Sequence, residues 1–303
     1  MTPLRLRNYL ELTRLHKFPL GTALTFWPAA FGVTMAAYAF NIPAREFARQ
    51  SLAFGIGCTL LHCTFCVLND IFDRDLDAFV ERTKGRPMVT GTVTLPGAWS
   101  LFIGSLLATS CPLFFANEQA FTIGLLSLPL HVLYPLAKRW TWWPQVWLGI
   151  VLGWSFFVGW FSVAADKSSR DQMLAVFYMY GAIICWTIHF DTVYATQDRE
   201  DDARIGVLST ARLFGAWLRE LDACFAISTV MLVACAGYLN KQGVAYYVLS
   251  CGGAACHLAW QLTRWDPDRD ESNKVVFKSN SELGLIMFSG MAVDYIFNSL
   301  PST

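Results

Sequence analysis

Charged residues are scarce in this sequence, and the two signs cancel. Asp, Glu, Lys and Arg make up 15% of the 303 residues, with 23 acidic and 23 basic side chains. A chain without a net basic field does not favour nucleic-acid binding. The sequence also lacks the GxxxxGK(S/T) and GxGxxG patterns. Their absence excludes a P-loop and a Rossmann-type phosphate site.

Histidine and cysteine are present, but not in the spacing of a zinc site or a disulfide scaffold. The five histidines show no two-His pattern with Cys or Glu. Two of them, His62 and His189, lie close to acidic clusters, and we expect a hydrogen-bonded structural role for both. Most of the nine cysteines lie in apolar segments, where we expect small packing residues. Residues 1–21 lack the apolar core of a signal peptide, so we expect no cleaved mitochondrial leader.

Long apolar runs dominate the sequence. Hydrophobic residues make up 54% of the chain, and the mean hydropathy is +0.39. The runs are continuous rather than alternating, which favours transmembrane helices of roughly 20 residues over barrel strands. No linker divides the chain, so we predict an all-α membrane protein with a single domain, residues 1–303. We predict nine spans, near residues 18–40, 51–68, 99–116, 120–137, 144–165, 172–194, 221–239, 243–262 and 282–300.

The basic residues are distributed unevenly between the two sides of these spans. Eighteen of the 23 Lys and Arg residues fall in the N-terminal segment and in the loops near 69–98, 138–143, 195–220 and 263–281. The positive-inside rule predicts that this side faces the cytoplasm. In a eukaryotic cell we expect the protein in the endoplasmic reticulum membrane.

Two aspartate clusters lie on the predicted cytoplasmic side, at the ends of the second and sixth spans. On a helix, Asp70, Asp73 and Asp77 fall within an arc of roughly 60°. The second cluster, Asp191, Tyr194, Asp198 and Asp202, falls within roughly 80°. Each set therefore shares one helix face, whereas Asp75 and Asp201 point elsewhere.

Like charges one helical turn apart repel, and a neighbouring apolar core raises the cost unless a cation neutralises them. Carboxylates with an amide oxygen from Asn69 suit Mg²⁺, which also takes phosphate oxygens as ligands. Cationic and phenolic side chains that could bind the phosphate lie nearby, and they are Arg82, Lys84, Arg86, Tyr134, Lys138, Arg139, Arg199, Arg204 and Arg212.

A phosphate site at the mouth of an apolar bundle predicts a substrate with a diphosphate head and a lipid tail. An isoprenyl diphosphate fits this description. Mg²⁺ makes diphosphate a good leaving group, and a dry aromatic-lined cavity stabilises the resulting allylic cation. Aromatic residues in the spans that could line the cavity include Trp27, Trp154, Phe156, Trp160, Trp186 and Phe190, and the sequence does not separate cavity-lining residues from core residues.

At these residues the sequence is similar to the UbiA superfamily of intramembrane prenyltransferases, and more narrowly to its 4-hydroxybenzoate polyprenyltransferase-like branch. The motif N-D-x-x-D-x-x-x-D is matched by residues 69–77, and D-x-x-Y-A-x-x-D-x-x-x-D by residues 191–202. The resemblance covers essentially the whole chain. It implies a bundle of about nine helices around a central cavity, with Mg²⁺ as cofactor and an isoprenyl diphosphate and an aromatic acceptor as substrates.

The resemblance also implies roles for individual residues. Metal ligation is expected of Asn69, Asp73, Asp77, Asp198 and Asp202. Catalytic roles are expected of Asp70, Asp73, Asp191 and Asp198. Substrate binding is expected of Arg14, Asn69, Asp77, Arg82, Lys84, Tyr134, Lys138, Arg139 and Tyr194, with Arg14 near the acceptor.

Two positions depart from the family pattern. Leu208 stands where the family commonly has Lys, and His16 stands where an acidic residue is common. These departures favour a relative in secondary metabolism, one that resembles fungal meroterpenoid prenyltransferases. It would attach a prenyl group such as farnesyl to a phenolic or pyrone acceptor, with released diphosphate or Asp191 as the base.

Two alternatives remain open at this point. One is 4-hydroxybenzoate prenylation in ubiquinone biosynthesis. The other is a multipass transporter, although transporter acids usually lie near the middle of the bilayer rather than at the ends of spans.

Overall fold

Every regular element in the part of the chain that the structure describes is a helix. The computed structural model describes residues 3–111 and 116–299. Its α-helices are α1 (Pro3–Leu12), α2 (Leu20–Phe40), α3 (Ala44–Asp77), α4 (Leu95–Ser110), α5 (Glu118–Leu126), α6 (Leu128–Ala137), α7 (Pro144–Ala164), α8 (Arg170–Ala195), α9 (Arg199–Ile205), α10 (Thr210–Leu213), α11 (Leu218–Leu239), α12 (Gly253–Arg264) and α13 (Asp270–Ser299). A 3₁₀ turn, Leu15–Lys17, precedes α2, and π-helical turns, Tyr246–Gly252, precede α12.

Two long helices carry the aspartate clusters beyond the apolar part of the bundle. Helix α3 has 34 residues, or about 51 Å, whereas the hydrocarbon core of a bilayer is about 30 Å thick. Helix α8 begins with a capping box between Ser169 and Gln172, and it continues through a 3₁₀ turn, Thr196–Asp198, into α9. Both clusters therefore lie at the polar end of a membrane helix.

Six helical segments in the described residues are long and apolar enough to cross a membrane, so the chain is an integral membrane protein. They are Leu20–Phe40, Ala44–Asp77, Glu118–Ala137, Pro144–Ala164, Arg170–Ile205 and Gly215–Leu239. The predicted count of nine is therefore not confirmed. Residues 112–115 of the third predicted span and residue 300 of the ninth lie outside the described residues.

The described residues of the three remaining predicted spans are largely helical, but these helices are not long and apolar enough to be counted as membrane spans, each for a physical reason. Helix α4 is apolar but shorter. Helix α12 has only 12 residues after the π-helical turns. In α13, polar residues such as Glu282 and Asp294 interrupt the apolar run and lower its hydropathy.

The packing of the helices leaves an interior space at one end of the bundle. Helix α2 packs against α3, α7 and α13, while α8 packs against α7, α11 and α13. Helix α6 packs against α3 and α7. Helices α2, α3, α6, α7, α8 and α13 thus form a ring, and their polar ends surround a cavity.

Beside this cavity, a solid core holds α2, α7, α8 and α13 together. Its largest buried members are Phe31, Phe156, Trp160 and Trp186. The indole of Trp186 donates to Asn280 Oδ1 at 2.8 Å and so joins α8 to α13. Burial of large aromatic side chains with satisfied N–H groups stabilises this side of the bundle.

The hydrogen-bonded role expected for His189 is confirmed. This buried side chain lies with Nδ1 2.6 Å from Asp222 Oδ2 and with Nε2 3.0 Å from Gln261 Oε1. The network ties α8 to α11 and α12. His62 instead lies in the cavity wall, so its structural role stays a prediction.

Glycine allows the backbones of α2 and α7 to touch. A Cβ atom built on Gly159 would lie 2.4 Å from the carbonyl oxygen of Ala29, and one built on Gly32 would lie 2.3 Å from that of Phe156. Small residues at such crossings permit the close backbone approach that membrane helix pairs use.

We predict that Gly159→Ala destabilises the protein by about 1–3 kcal/mol, because the added methyl group must push two backbones apart. Gly104→Ala is the matched control, since a Cβ atom at this helical position meets no atom within 4 Å. Thermal melting of the purified protein in detergent measures both effects. Equal melting temperatures for the two variants would contradict the packing described.

Candidate active site

The polar ends of the ring helices enclose one cavity of about 1170 Å³ that brings both aspartate clusters together. All but two of the predicted site residues line it, namely Arg14, Asn69, Asp70, Asp73, Asp77, Arg82, Tyr134, Lys138, Asp191, Tyr194, Asp198 and Asp202. Residues more than a hundred positions apart in sequence therefore form one site. Both clusters line this one cavity, and the roles predicted for their residues stay predictions.

The aspartates of α3 are buried and paired with cations from other elements. Asp70 Oδ1 accepts from Arg14 at 2.5 Å and from Arg86 at 3.1 Å, and Arg86 also donates to Asp77 at 2.6 Å. Asp73 Oδ2 accepts from Lys138 at 2.6 Å and from the Asn69 amide at 2.7 Å. Each of these three α3 carboxylates thus has a counter-charge.

The second cluster is only partly neutralised. Arg82, from the loop after α3, donates twice to Asp198, at 2.9 Å and 2.5 Å. Its guanidinium also lies 4.9 Å from the centroid of the Tyr194 ring, in a cation–π contact. Neither Asp191 nor Asp202 forms an ion pair within residues 3–111 and 116–299. Two cavity-lining carboxylates therefore lack a cationic partner.

The loop after α3 ties the two clusters to each other. The backbone N–H of Glu81 donates to Asp201 Oδ2 at 3.1 Å, one residue before Arg82 reaches Asp198. Asp201 thus points away from the cavity, as its helical position predicts, and Asp75 is exposed and pairs with Arg74. The helical periodicity thus separated the cavity-lining aspartates from Asp75 and Asp201.

Two predicted substrate-binding residues, Lys84 and Arg139, do not line the cavity, and their role in binding stays a prediction. Lys84 is exposed and pairs with Glu81 at 2.6 Å. Arg139 donates to the backbone carbonyl of Phe72 at 2.6 Å, which holds α6 against α3 from outside. Proximity to the clusters in the sequence could not show whether the side chains of Lys84 and Arg139 point toward the cavity or away from it.

Arg86 belongs to the site although its spacing gave no specific role. Burial by itself would lower the pKa of its guanidinium, but the carboxylates of Asp70 and Asp77 raise the pKa above its ordinary value. Arg86 therefore remains charged between the two aspartates. Gln145 and Ser209 also line the cavity, and no sequence pattern had indicated them.

Leu208 lies at the position where the family pattern commonly has lysine. Its backbone, rather than its side chain, forms the hydrogen bond that links this position to Lys138. Its N–H donates to the carbonyl oxygen of Lys138 at 2.9 Å. The segment after α9 therefore still positions Lys138 beside Asp73, although the side chain at 208 supplies no charge.

The apolar part of the cavity lies deeper along the helices than the aspartates. Leu61 is the deepest lining residue on α3, and it lies 12 residues, or about 18 Å, before Asp73. Leu148, Val151 and Leu152 of α7 line the same region. The cavity thus combines a charged mouth with an apolar interior.

The aromatic residues that line the cavity are not the tryptophans named from the sequence. The lining aromatics are Phe65, Tyr134, Tyr194 and Phe277. Phe277 packs against Tyr194 with ring centroids 4.7 Å apart. Phe156, Trp160, Trp186 and Phe190 belong instead to the solid core.

The donor atoms fit a hard divalent cation. Asp70 Oδ2 and Asp73 Oδ1 are buried and have no hydrogen-bond partner, and such orphaned carboxylate oxygens are costly unless a ligand satisfies them. Within the described ranges, no group of three or more His, Cys, Asp or Glu side chains is arranged to hold a metal ion by itself. A cation here would need further oxygens from a substrate, as Mg²⁺ does with phosphates.

The likeness to known proteins agrees with this geometry. The model of the UbiA prenyltransferase family matches residues 25–288. The UbiA prenyltransferase claS of Ampulloclitocybe clavipes is 38% identical over 293 residues, which cover 96% of this chain and 92% of that protein. The mitochondrial 4-hydroxybenzoate polyprenyltransferase of Caenorhabditis elegans is also 38% identical, over 99% of this chain and 82% of that protein.

Solved structures share the fold. The apo structure of a UbiA homolog from Aeropyrum pernix K1 matches with a TM-score of 0.75 at 24% identity, and the match covers 89% of this chain and 97% of that one. A UbiA homolog from Archaeoglobus fulgidus bound to GPP and Mg²⁺ matches with a TM-score of 0.69 at 18% identity, over 95% of this chain and 99% of that one. The predicted all-helical UbiA-type architecture is thereby confirmed. The chain belongs to the UbiA prenyltransferase family, and it is an enzyme that transfers prenyl groups.

Proposed function

We propose that the protein transfers an isoprenyl group from its diphosphate to an aromatic, phenolic or pyrone acceptor, in a Mg²⁺-dependent reaction of meroterpenoid biosynthesis. The observation that carries the proposal is the single cavity in which two aspartate clusters and their cations lie above an apolar interior. A diphosphate requires the charged mouth, and a prenyl chain requires the interior. The Archaeoglobus homolog that is bound to GPP and Mg²⁺ supports this donor class.

The diphosphate would bind at the cavity mouth. Asp73, Asp198 and Asp202, with Asn69 and Asp77, are the residues that would hold Mg²⁺, and the bound cation would supply charge neutralisation that makes diphosphate a better leaving group. Lys138 and Arg82 lie on the same carboxylates, and both can turn to phosphate oxygens. Tyr134 lines the cavity between the two clusters and offers a hydroxyl to the same group.

The reacting carbon would lie among aromatic rings. As the carbon–oxygen bond to diphosphate breaks, positive charge develops on the allylic group. The rings of Tyr194 and Phe277 line this part of the cavity and stabilise a cation through their faces. The apolar walls exclude water, which would otherwise capture the cation.

The acceptor then attacks through a ring or enol carbon. A carbon–carbon bond forms, and the proton at the attacked carbon leaves to a base. Released diphosphate or Asp191 can take this proton, because Asp191 lines the cavity and has no cationic partner in the described residues. A weak base suffices, since the alkylated ring intermediate is strongly acidic.

The pathway and the cellular membrane belong to the same proposal. The 38% identity to the fungal claS protein and the residues His16 and Leu208 support secondary metabolism, with farnesyl as the prenyl group. The surplus of basic residues on the aspartate side supports a cytoplasmic site, and we place the protein in the endoplasmic reticulum of a eukaryotic cell. The 38% identity to a relative named 4-hydroxybenzoate polyprenyltransferase favours that reaction as the second candidate.

An assay of purified membranes distinguishes these candidates. We expect transfer from farnesyl diphosphate to phenolic or pyrone acceptors, and loss of transfer when EDTA removes Mg²⁺. The panel contains dimethylallyl, geranyl, farnesyl, geranylgeranyl and longer diphosphates against phenols, pyrones and 4-hydroxybenzoate, with products read by mass. Transfer of long chains to 4-hydroxybenzoate alone would support the second candidate instead.

Asp73→Asn and Asp198→Asn are each expected to lower the rate of prenyl transfer at least about 100-fold, the scale of a lost electrostatic contact to a transition state. Asp75→Asn is the matched control, because Asp75 lies on the same helix but is exposed. Its rate should stay within about twofold of the wild type. Microsomes with a labelled prenyl diphosphate and Mg²⁺ provide the measurement, and wild-type rates in the Asp73 or Asp198 variant would refute the assigned roles.

Arg82→Gln is expected to raise KM for the prenyl diphosphate about tenfold or more, as expected for a lost hydrogen bond to a charged group. Lys84→Gln, two residues away but outside the cavity, should leave KM unchanged. Initial rates at varied diphosphate concentration measure both. If the two variants behaved alike, the placement of Arg82 at the diphosphate would be wrong. If only Arg82→Gln raises KM, Arg82→Lys then tests whether positive charge alone is required.

A further inference from the structure

His131 is a cavity-lining side chain outside the two aspartate clusters and their cations. It lies on α6, one helical turn before Tyr134, and it is only 7% exposed. Phe65 of α3, which also lines the cavity, packs against the imidazole with ring centroids 4.3 Å apart. A buried histidine in a membrane helix is costly unless its polar atoms have partners. The partners of its two ring nitrogens therefore show what this side chain can do.

One ring nitrogen of His131 is bound by the backbone. Nδ1 lies 2.9 Å from the carbonyl oxygen of Ser127, one turn earlier on the chain. A carbonyl oxygen can only accept, so Nδ1 carries the hydrogen in this contact. Together with the packing on Phe65, the bond fixes the orientation of the ring. In the uncharged ring, Nε2 is then left with a lone pair and accepts a hydrogen bond.

The other ring nitrogen has no partner in the protein. No hydrogen bond in the part of the chain that the structure describes reaches Nε2, and no carboxylate there pairs with His131. Burial without an anionic partner favours the uncharged ring. His189 differs in this respect, because side chains of Asp222 and Gln261 bind both of its nitrogens. Nε2 of His131 is therefore a hydrogen-bond acceptor that the fold leaves for a ligand.

This acceptor atom lies at the depth where the prenyl group would react. Tyr134, one turn nearer the cavity mouth on α6, would contact the diphosphate, and Asn69, one turn beyond Phe65 on α3, would contact the metal. His131 and Phe65 thus lie about 5 Å inward from the diphosphate on their two helices. The first carbon of the prenyl group, C1, and the acceptor that attacks it would lie at this level.

Of the two substrates, only the acceptor can satisfy Nε2. The oxygens of an ionised diphosphate accept hydrogen bonds and do not donate them, and a prenyl chain has no polar group. A phenolic acceptor carries an O–H group that donates. The candidate bases, Asp191 and released diphosphate, would take the proton of the attacked carbon and leave this hydroxyl without a partner. His131 is thus placed to serve the hydroxyl.

We propose that Nε2 of His131 binds the hydroxyl of a phenolic acceptor and takes its proton as the aromatic ring attacks. This inference rests on the proposed prenyl transfer and adds a catalytic residue to it. As the ring carbon forms its bond to C1, the bond from C1 to oxygen breaks, and its electron pair leaves with diphosphate. The hydroxyl proton passes to Nε2, so the intermediate is a neutral dienone rather than a cation. Diphosphate or Asp191 then removes the proton of the attacked carbon, and Nε2 returns its own proton to the oxygen.

The kinetic test compares acceptors that differ only in the hydroxyl. The probes are 4-hydroxybenzoate and 3,5-dihydroxytoluene, each paired with its methyl ether, and the donor is farnesyl diphosphate. The wild type should prefer phenol to ether at least about 100-fold in kcat/KM, the scale of a general-base contribution. In His131→Phe, which keeps a ring against Phe65, the phenol should lose this advantage to within about threefold. An equal fall with phenol and ether would overturn the inference, because the side chain would then be only structural.

His131→Gln separates binding of the hydroxyl from transfer of its proton. The amide oxygen can accept a hydrogen bond near the position of Nε2, but it is not basic enough to take the proton. We expect KM for the phenol within about threefold of the wild type and kcat at least about tenfold lower. A wild-type kcat in this variant would overturn the proton transfer.

His257→Phe is the matched control. Nε2 of His257 also lies near a backbone carbonyl oxygen, that of Ser279 at 3.1 Å, but this histidine does not line the cavity. The control variant loses the same kind of hydrogen bond and should keep the wild-type preference for phenol over ether. Matching melting temperatures in detergent establish that all variants are folded.

A binding measurement separates this inference from the proposed function. Inorganic diphosphate and Mg²⁺ replace the prenyl donor, so that no bond can form, and equilibrium dialysis measures the labelled phenols and ethers. The wild type should bind phenol at least about tenfold more tightly than ether, as expected for one hydrogen bond, and His131→Phe should bind both alike. This pattern without prenyl transfer in any assay would refute the proposed function, and the proton transfer with it, but keep the hydroxyl site. Equal binding of phenol and ether to the wild type would overturn the hydroxyl site even if transfer occurs.

Discussion

The structure depends on the neutralisation of aspartates at the end of an apolar bundle. Asp70, Asp73 and Asp77 are at most 6% exposed, and carboxylates buried beside an apolar core are costly unless they are paired. Their partners come from distant parts of the chain, namely the turn before α2, the loop after α3 and the end of α6. The same ion pairs that make burial tolerable therefore also fasten these elements around the cavity and give it its shape.

This constraint explains why the helices have the lengths they do. A membrane helix that stopped at the hydrocarbon boundary would place its last side chains beside lipid, whereas α3 continues for several turns past its apolar run. The extra turns bring the aspartates of α3 level with those of α8, and the loop between α3 and α4 closes over both through Glu81 and Arg82. A charged mouth and an apolar interior follow from the same two long helices.

Much of the site could be predicted from the sequence, because helical periodicity decides which aspartates share a face. It placed Asp70, Asp73 and Asp77 together and Asp75 apart, as the structure has them. It could not place Lys84 and Arg139, since the direction of a side chain in a loop depends on partners such as Glu81 and the Phe72 carbonyl. Nor could hydropathy separate aromatic residues of the core from those of the cavity, because hydropathy depends on the residue type and not on what the side chain contacts. The predicted number of spans is not confirmed for a related reason, since polar residues inside α13 and the π-helical turns before α12 interrupt the apolar runs.

The pairing of cations with aspartates links the binding of a metal to the binding of a diphosphate. A divalent cation at Asp73 and Asp198 would compete with Lys138 and Arg82 for the same carboxylate oxygens. Metal binding alone would leave these two cations displaced without a counter-charge, which is electrostatically unfavourable. A diphosphate removes this penalty because its oxygens accept the displaced side chains and complete the coordination of the metal. Each of the two ligands would therefore strengthen the binding of the other, and this coupling would be reciprocal.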